Sequence, residues 1–141
     1  MRMSPEDFIA LERKRQGRSK PVAQTATQRM QAKGRLPAGQ MNKSEEAYSR
    51  VLDARKLAGE VLWWAFESIK LKLADRTYLT IDFALMLADG GIELHDVKGA
   101  KAIIQDDAKV KMKVAAAAFP FPMFYAFPPK RVGGSWTIEA V

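Results

Sequence analysis

The sequence predicts an α/β domain, a central mixed β-sheet flanked by helices, behind a basic N-terminal arm. Three observations point there. Apolar residues recur at helical spacing over residues 42–58. They alternate with polar ones over 69–73, line one face of a strand over 79–87, and a hairpin turn then leads to a third strand over 92–98. A second helical segment then separates those strands from two closing strands rich in aromatic residues. The order is helix, three strands, helix, strand, strand.

Composition bounds the chemistry. The chain has 141 residues, of which 48% are hydrophobic, enough for one packed domain with a tail. It lacks Cys, which excludes disulfides, thiol catalysis and Cys-ligated metals. His95 is the single histidine, so a His-rich metal site has no second ligand. No apolar run reaches the roughly 18 residues of a membrane span, and the polar N-terminus lacks a secretory h-region, so a soluble protein with no membrane partner is expected. The formal net charge of +7 is uneven, because residues 1–40 hold nine of the 23 Lys and Arg but three of the 16 acids. Such an arm, with Arg13, Lys14, Arg15 and Arg18 at its centre, fits a polyanion, most often nucleic acid; a solubilising terminus is the alternative.

Each element has a local reason. Ser4-Pro5-Glu6-Asp7 is a helix start, with Ser4 as N-cap and Pro5 at the first helical position. That helix ends near Gly17, and residues 17–41 read as a flexible linker, placing the domain boundary between residues 41 and 42. Asn42-Lys43-Ser44-Glu45 is a capping box, opening a helix that runs to about Ala58 with Gly59 at C′. Its apolar stripe comprises Ala47, Tyr48, Val51, Leu52, Ala54 and Ala58, with Glu45 at the edge and Glu46 on the opposite face. The first strand carries Ile69, Leu71 and Leu73, and turns at Ala74-Asp75-Arg76. The second presents Leu79, Ile81, Phe83, Leu85 and Leu87 on one face. Asp89-Gly90-Gly91 is a hairpin turn, and the third strand runs from Ile92 to Lys98. A helix from Gln105 or Asp106 to Ala118 follows, then strands over 121–127 and 136–141.

The hairpin makes a geometric prediction. With Asp89, Gly90 and Gly91 as the loop, Ala88 faces Ile92, Asp82 lies opposite Lys98 and Ala84 opposite Asp96. Alternation then puts Asp82, Asp96 and Lys98 on one face, with the two acids within about 7–8 Å between Cα atoms. Paired carboxylates on a rigid sheet suit a hard divalent cation, which can bind a phosphate oxygen and acidify a bound water. A nearby Lys can stabilise charge on phosphorus or position the water. Glu45, at the start of a helix that packs on this sheet, can turn toward the same cluster.

Asp82 followed by Asp96-Val97-Lys98, flanked by helices, resembles the PD-(D/E)xK nuclease superfamily. Asn42-Lys43-Ser44-Glu45, Ala74-Asp75-Arg76-Thr77, Ile81-Asp82-Phe83, His95-Asp96-Val97-Lys98-Gly99 and residues 106–113 together are similar to a small phage and prophage family within it. The resemblance covers roughly residues 41–127. It implies a restriction-endonuclease-like α-β-β-β-α-β core, Mg²⁺ or Mn²⁺, and hydrolysis of DNA phosphodiester bonds in a bacterial host cytoplasm. Asp82, Asp96, Glu45 and the Val97 carbonyl would be metal ligands, and Lys98 the catalytic lysine. Small enzymes of this group often act on branched or recombination DNA, and a homodimer would suit cutting two strands. Ile81 stands where the superfamily name has Pro.

Plainer readings stand beside these. Asp96 and Lys98 are also an ordinary cross-strand ion pair, and Glu45 a capping residue whatever else it does. A catalytically silent nucleic-acid-binding protein of the same fold is the alternative function. His95, on the other face, reads as structural or exposed. Lys109 and Lys113 share a helix face and can contact phosphates or only water. Trp63, Trp64 and Phe66 read as core or a dimer contact.

Overall fold

The computed structural model describes residues 4–16 and 36–141; the linker expected over 17–41 lies mostly outside them. Helix α1 (Pro5–Gln16) starts as its sequence dictates. The Asp7 N–H donates to Ser4 Oγ at 3.1 Å, and Pro5 sits where no amide donor is required. The remaining elements belong to a second unit, Ala38–Val141. They are α2 (Lys43–Leu57), β1 (Val61–Ala74), β2 (Thr77–Leu87), β3 (Ile92–Val97), a 3₁₀ turn (Lys101–Ile103), α3 (Asp106–Ala118), β4 (Met123–Phe127) and β5 (Thr137–Ala140). The five strands form one sheet in sequence order, antiparallel throughout except for the parallel pair β3 and β4, which α3 connects. The α-β-β-β-α-β order and the mixed sheet are therefore present. No helix among the described residues is long and apolar enough to cross a membrane.

Helix α2 is capped at both ends. The Glu45 N–H donates to Asn42 Oδ1 at 2.9 Å and the Asn42 N–H donates to Glu45 Oε2 at 2.8 Å, a reciprocal capping box. At the other end Gly59 takes φ +81, and the Gly59 and Glu60 amides donate to the Lys56 and Arg55 carbonyls. The buried face is narrower than the sequence stripe and rotated from it. Tyr48, Ser49 and Leu52 are buried, whereas Ala47, Ala54 and Ala58 are exposed. Ser49 tolerates burial because its hydroxyl donates to the Glu46 carbonyl at 2.6 Å.

The sheet separates two apolar layers. Tyr48 and Leu52 pack with Val61, Phe83, Leu85, Val97 and Ala126 on one side. Met112 and Ala115 of α3 pack with Leu71, Ile81, Ala84, Leu94 and Met123 on the other. Two expectations are corrected. The first strand begins at Val61, not near Ile69, so Trp64 and Phe66 are part of it and pack on the Phe83 ring at 5.7 and 5.3 Å. Leu79, Ile81, Phe83, Leu85 and Leu87 also do not share one neighbourhood, because Leu79 and Ile81 join the α3 layer. The cause is a β-bulge: Phe66 pairs with Phe83 and Ile69 with Ile81, leaving Glu67 and Ser68 opposite Asp82. Such an insertion bends and twists the strand pair locally. Glu67 marks it with φ +48, an uncommon conformation for a residue with a side chain.

Candidate functional site

The β2–β3 hairpin is shifted from the predicted register. Met86 pairs with Ile92, Ala84 with Leu94 and Phe83 with His95. The loop is Ala88-Asp89-Gly90, because Gly90 alone supplies the left-handed residue (φ +86) and Asp89 Oδ1 fixes the turn by accepting the Gly91 N–H at 2.8 Å. Gly91 is thereby released into the strand, where its carbonyl accepts the Leu87 N–H at 2.8 Å. The slip is two residues, so every side chain keeps its face. Its effect is to bring Asp82 across from Asp96, not across from Lys98.

There the ladder gives way to side chains. The Val97 N–H donates to Asp82 Oδ2 at 2.9 Å, so Val97 is tied to this site through its amide. Asp96 acts on Asp82 both by charge and as a side-chain hydrogen-bond partner. Lys98 Nζ lies 3.0 Å from Asp96 Oδ2, with Asp96 buried and Lys98 partly so. Like charges opposed across two strands are unfavourable, and burial removes the water that would screen them. Burial first, and then the Asp96 charge, push the Asp82 carboxyl from its ordinary 3.8 up to about 9. Burial works against the Lys98 ammonium. The charge and hydrogen bond of Asp96 and the charge of Asp82 outweigh that and hold its pKa above the usual lysine value. Burial and the neighbouring Asp96 charge thus favour the protonated form of Asp82, while the carboxylates favour the charged form of Lys98.

Glu45 stands within electrostatic range of Asp96, Asp82 and Lys98. Half-buried, its carboxyl is raised mainly by desolvation, against the lowering bond from Asn42, with Glu67 and Asp96 adding repulsion. Two residues missed by sequence reasoning belong here. Glu67 repels Glu45 from the bulge and accepts the Gly39 N–H at 2.7 Å. Its signal was a polar Glu67-Ser68 pair directly after the apolar run Val61–Phe66. Tyr125 pairs with Asp96 across the parallel β3–β4 ladder, and its hydroxyl is raised by burial and by the Asp96 charge. That ladder register has no local sequence signal.

Among the described residues, no three acids or histidines stand together as a ready metal cage. The donor set nevertheless fits a small hard cation. Mg²⁺ keeps several waters and is commonly held by one or two carboxylates plus substrate phosphates. Asp82 and Asp96 supply two carboxylates whose mutual repulsion a divalent ion would relieve. No family model, curated protein or solved structure matches the chain. The functional reading rests on this geometry.

His95 points away from the cluster, as expected. It is buried, its Nδ1 shares a hydrogen bond with the Tyr48 hydroxyl, and its Nε2 faces Glu93 Oε1 at 3.4 Å. Burial, with Arg55 adding to it, lowers its pKa to about 4, so the ring is neutral at neutral pH and its role is structural. Glu46 faces solvent and bonds Arg50 at 3.0 Å. Lys109 and Lys113 lie exposed on α3. The side chains of Arg13, Lys14 and Arg15, and the whole of Arg18, lie outside the described residues.

Proposed function

We propose that the chain is a metal-dependent DNA endonuclease of restriction-endonuclease-like fold, hydrolysing phosphodiester bonds, with branched or recombination DNA in a phage-infected bacterial cytoplasm as the substrate class. The observation that carries this reading is the convergence of Asp82, Asp96 and Lys98, from neighbouring strands, in a partly buried cluster. The α-β-β-β-α-β order supports it. Asp82 and Asp96 would hold Mg²⁺ or Mn²⁺, with Glu45 and the Val97 carbonyl as further oxygen donors. A divalent ion in such a site supplies Lewis-acid polarisation of a phosphoryl oxygen and an acidified water.

The side chains divide the remaining tasks. The Val97 amide fixes the Asp82 carboxyl, and Asp96 fixes the Lys98 ammonium. Because Lys98 is held more firmly in its charged form, it acts by donating hydrogen bonds, orienting water and stabilising charge on phosphorus, in preference to abstracting a proton. The basic arm, Lys109 and Lys113 would add contacts to phosphates that are independent of sequence. A two-fold dimer would present two such centres to two strands.

A second reading is a catalytically silent nucleic-acid-binding protein. One panel separates the two: plasmid and four-way junction DNA incubated with Mg²⁺, Mn²⁺ or chelator. Cleavage that requires metal and vanishes in both Asp82→Ala and Lys98→Ala supports the enzyme. Binding without cutting supports the silent protein.

A further inference from the structure

The parallel strands β3 and β4 run side by side, and the cluster just described lies at the carboxyl end of β3. Ligands of open sheets with parallel strands collect outside those ends. A cleft of about 750 Å³ opens there, with Gly99 and Ala100, which directly follow Lys98, on one wall and Pro128 and Pro129, which directly follow β4, on the other. Its charged lining is Lys101, Lys130, Arg131 and Glu139. Lys101 is paired with Glu139 at 3.2 Å. Among the described residues, Lys130 and Arg131 have no carboxylate within ion-pair distance, and both are exposed.

The loop that carries these two cations is shaped in advance. Consecutive prolines restrict its start. The Gly134 N–H closes it by donating to the Arg131 carbonyl at 3.0 Å, with Gly133 at φ +78. A Cβ on Gly134 would press on that carbonyl and on the Pro129 ring, both at 3.1 Å, so the loop is tightly folded around this point. Cations held on a short closed loop lose little freedom on binding. The small residues Gly99 and Ala100 leave the opposite wall open to close approach. Only Gly99 and Ala100 separate Lys101 from Lys98, so their Cα atoms lie at most about 11 Å apart even fully extended.

We propose that this cleft seats the phosphodiester backbone of the nucleic-acid strand whose neighbouring phosphate lies at Asp82 and Asp96, with Lys130 and Arg131 as its phosphate contacts. The assignment of that neighbouring phosphate rests on the nuclease reading above; the binding of a polyanionic strand in the cleft does not.

The test is the full-length double variant Lys130→Ala/Arg131→Ala, its folding checked by thermal melting. Binding of fluorescently labelled duplex DNA, and of RNA of equal length, is measured by anisotropy in chelator, across 50–200 mM salt. Removing two phosphate-binding cations flattens the salt dependence. Over that range wild type should lose about 12-fold more duplex affinity than the variant, from a slope of about −0.9 per neutralised phosphate. In cleavage assays with Mg²⁺ the variant should raise KM and keep kcat. Flattening on DNA alone, or on DNA and RNA alike, supports the cleft. Parallel salt slopes on both nucleic acids, or weakened binding only of polyglutamate, overturn it. Should wild type cut no DNA at all, the nuclease reading fails, while the salt slopes still decide whether the cleft holds a strand.

Discussion

Replacing Asp82 by Asn should remove a pH dependence from the stability of the metal-free protein. The Asp82 carboxyl is raised from 3.8 to about 9 by burial and by Asp96. The folded chain therefore retains a proton that the unfolded chain has released, and stability falls as pH rises from about 4 to about 9. His95 works in the opposite sense. Depressed to about 4, it adds stability as pH rises toward 6.5, and the two groups nearly cancel in that lower window. Above pH 7 His95 no longer titrates and Asp82 acts alone of the two. Each pH unit is worth about 1.4 kcal/mol, so wild type should lose about 2 kcal/mol between pH 7 and 8.5. For a domain near 100 residues this is roughly 10 °C in Tm. Asn preserves an acceptor for the Val97 amide and carries no charge, so Asp82→Asn should be flat over this range. Glu45 and Glu93 are also raised, but they remain in both proteins and cancel in the comparison. The assay is thermal unfolding in chelator at several pH values, repeated in millimolar Mg²⁺, which should restore wild type most at the highest pH and leave the variant unmoved. Matching slopes for the two proteins between pH 7 and 8.5 would show that burial and like charge do not control this carboxyl.

Four further outcomes are expected. Lys98→Met should lower kcat on plasmid DNA by about 10²–10⁴-fold, the range for removal of a proton-transfer or charge-stabilising group; an unchanged rate at saturating DNA removes Lys98 from the chemistry. Tyr48→Phe leaves the buried His95 Nδ1 without its hydrogen-bond partner and should cost about 1–3 kcal/mol in urea unfolding. Glu67→Gln removes a negative charge that acts on Glu45 and should raise the Mg²⁺ concentration for half-maximal cleavage; an unaltered Mg²⁺ titration assigns Glu67 to the bulge alone. Neutralising Arg13, Lys14, Arg15 and Arg18 together should reduce the salt slope of DNA binding by about 0.9 for each phosphate the arm neutralises, and an unaltered slope excludes the arm from binding.

What could be read in advance followed local physics. The capping box at Asn42 and Glu45, Gly59 at the C-terminus of α2 and the boundaries of α3 all depend on near neighbours in sequence. The misses have nonlocal causes. Which of two glycines bends the hairpin was decided by the Asp89 side chain, and that choice set whether Asp82 meets Asp96 or Lys98. The bulge at Glu67 is settled by how a long strand bends between two layers, and it moved Ile81 away from Phe83. Ser49 entered the core because its hydroxyl found a carbonyl within its own helix, which hydrophobic periodicity does not register. Tyr125 reached Asp96 through a parallel pairing of strands separated by a whole helix.

The carboxylate of Glu45 has two claims on it. It terminates α2 by accepting the Asn42 amide, and it is the acid nearest in sequence to the helix entrance that senses Asp96. Drawing it inward to an ion would strip the helix of its reciprocal lock and expose the first turn to fraying. Occupancy of the centre should then be audible at a distance: amide exchange at Asn42 would quicken when the ion arrives and slow when a chelator takes it away.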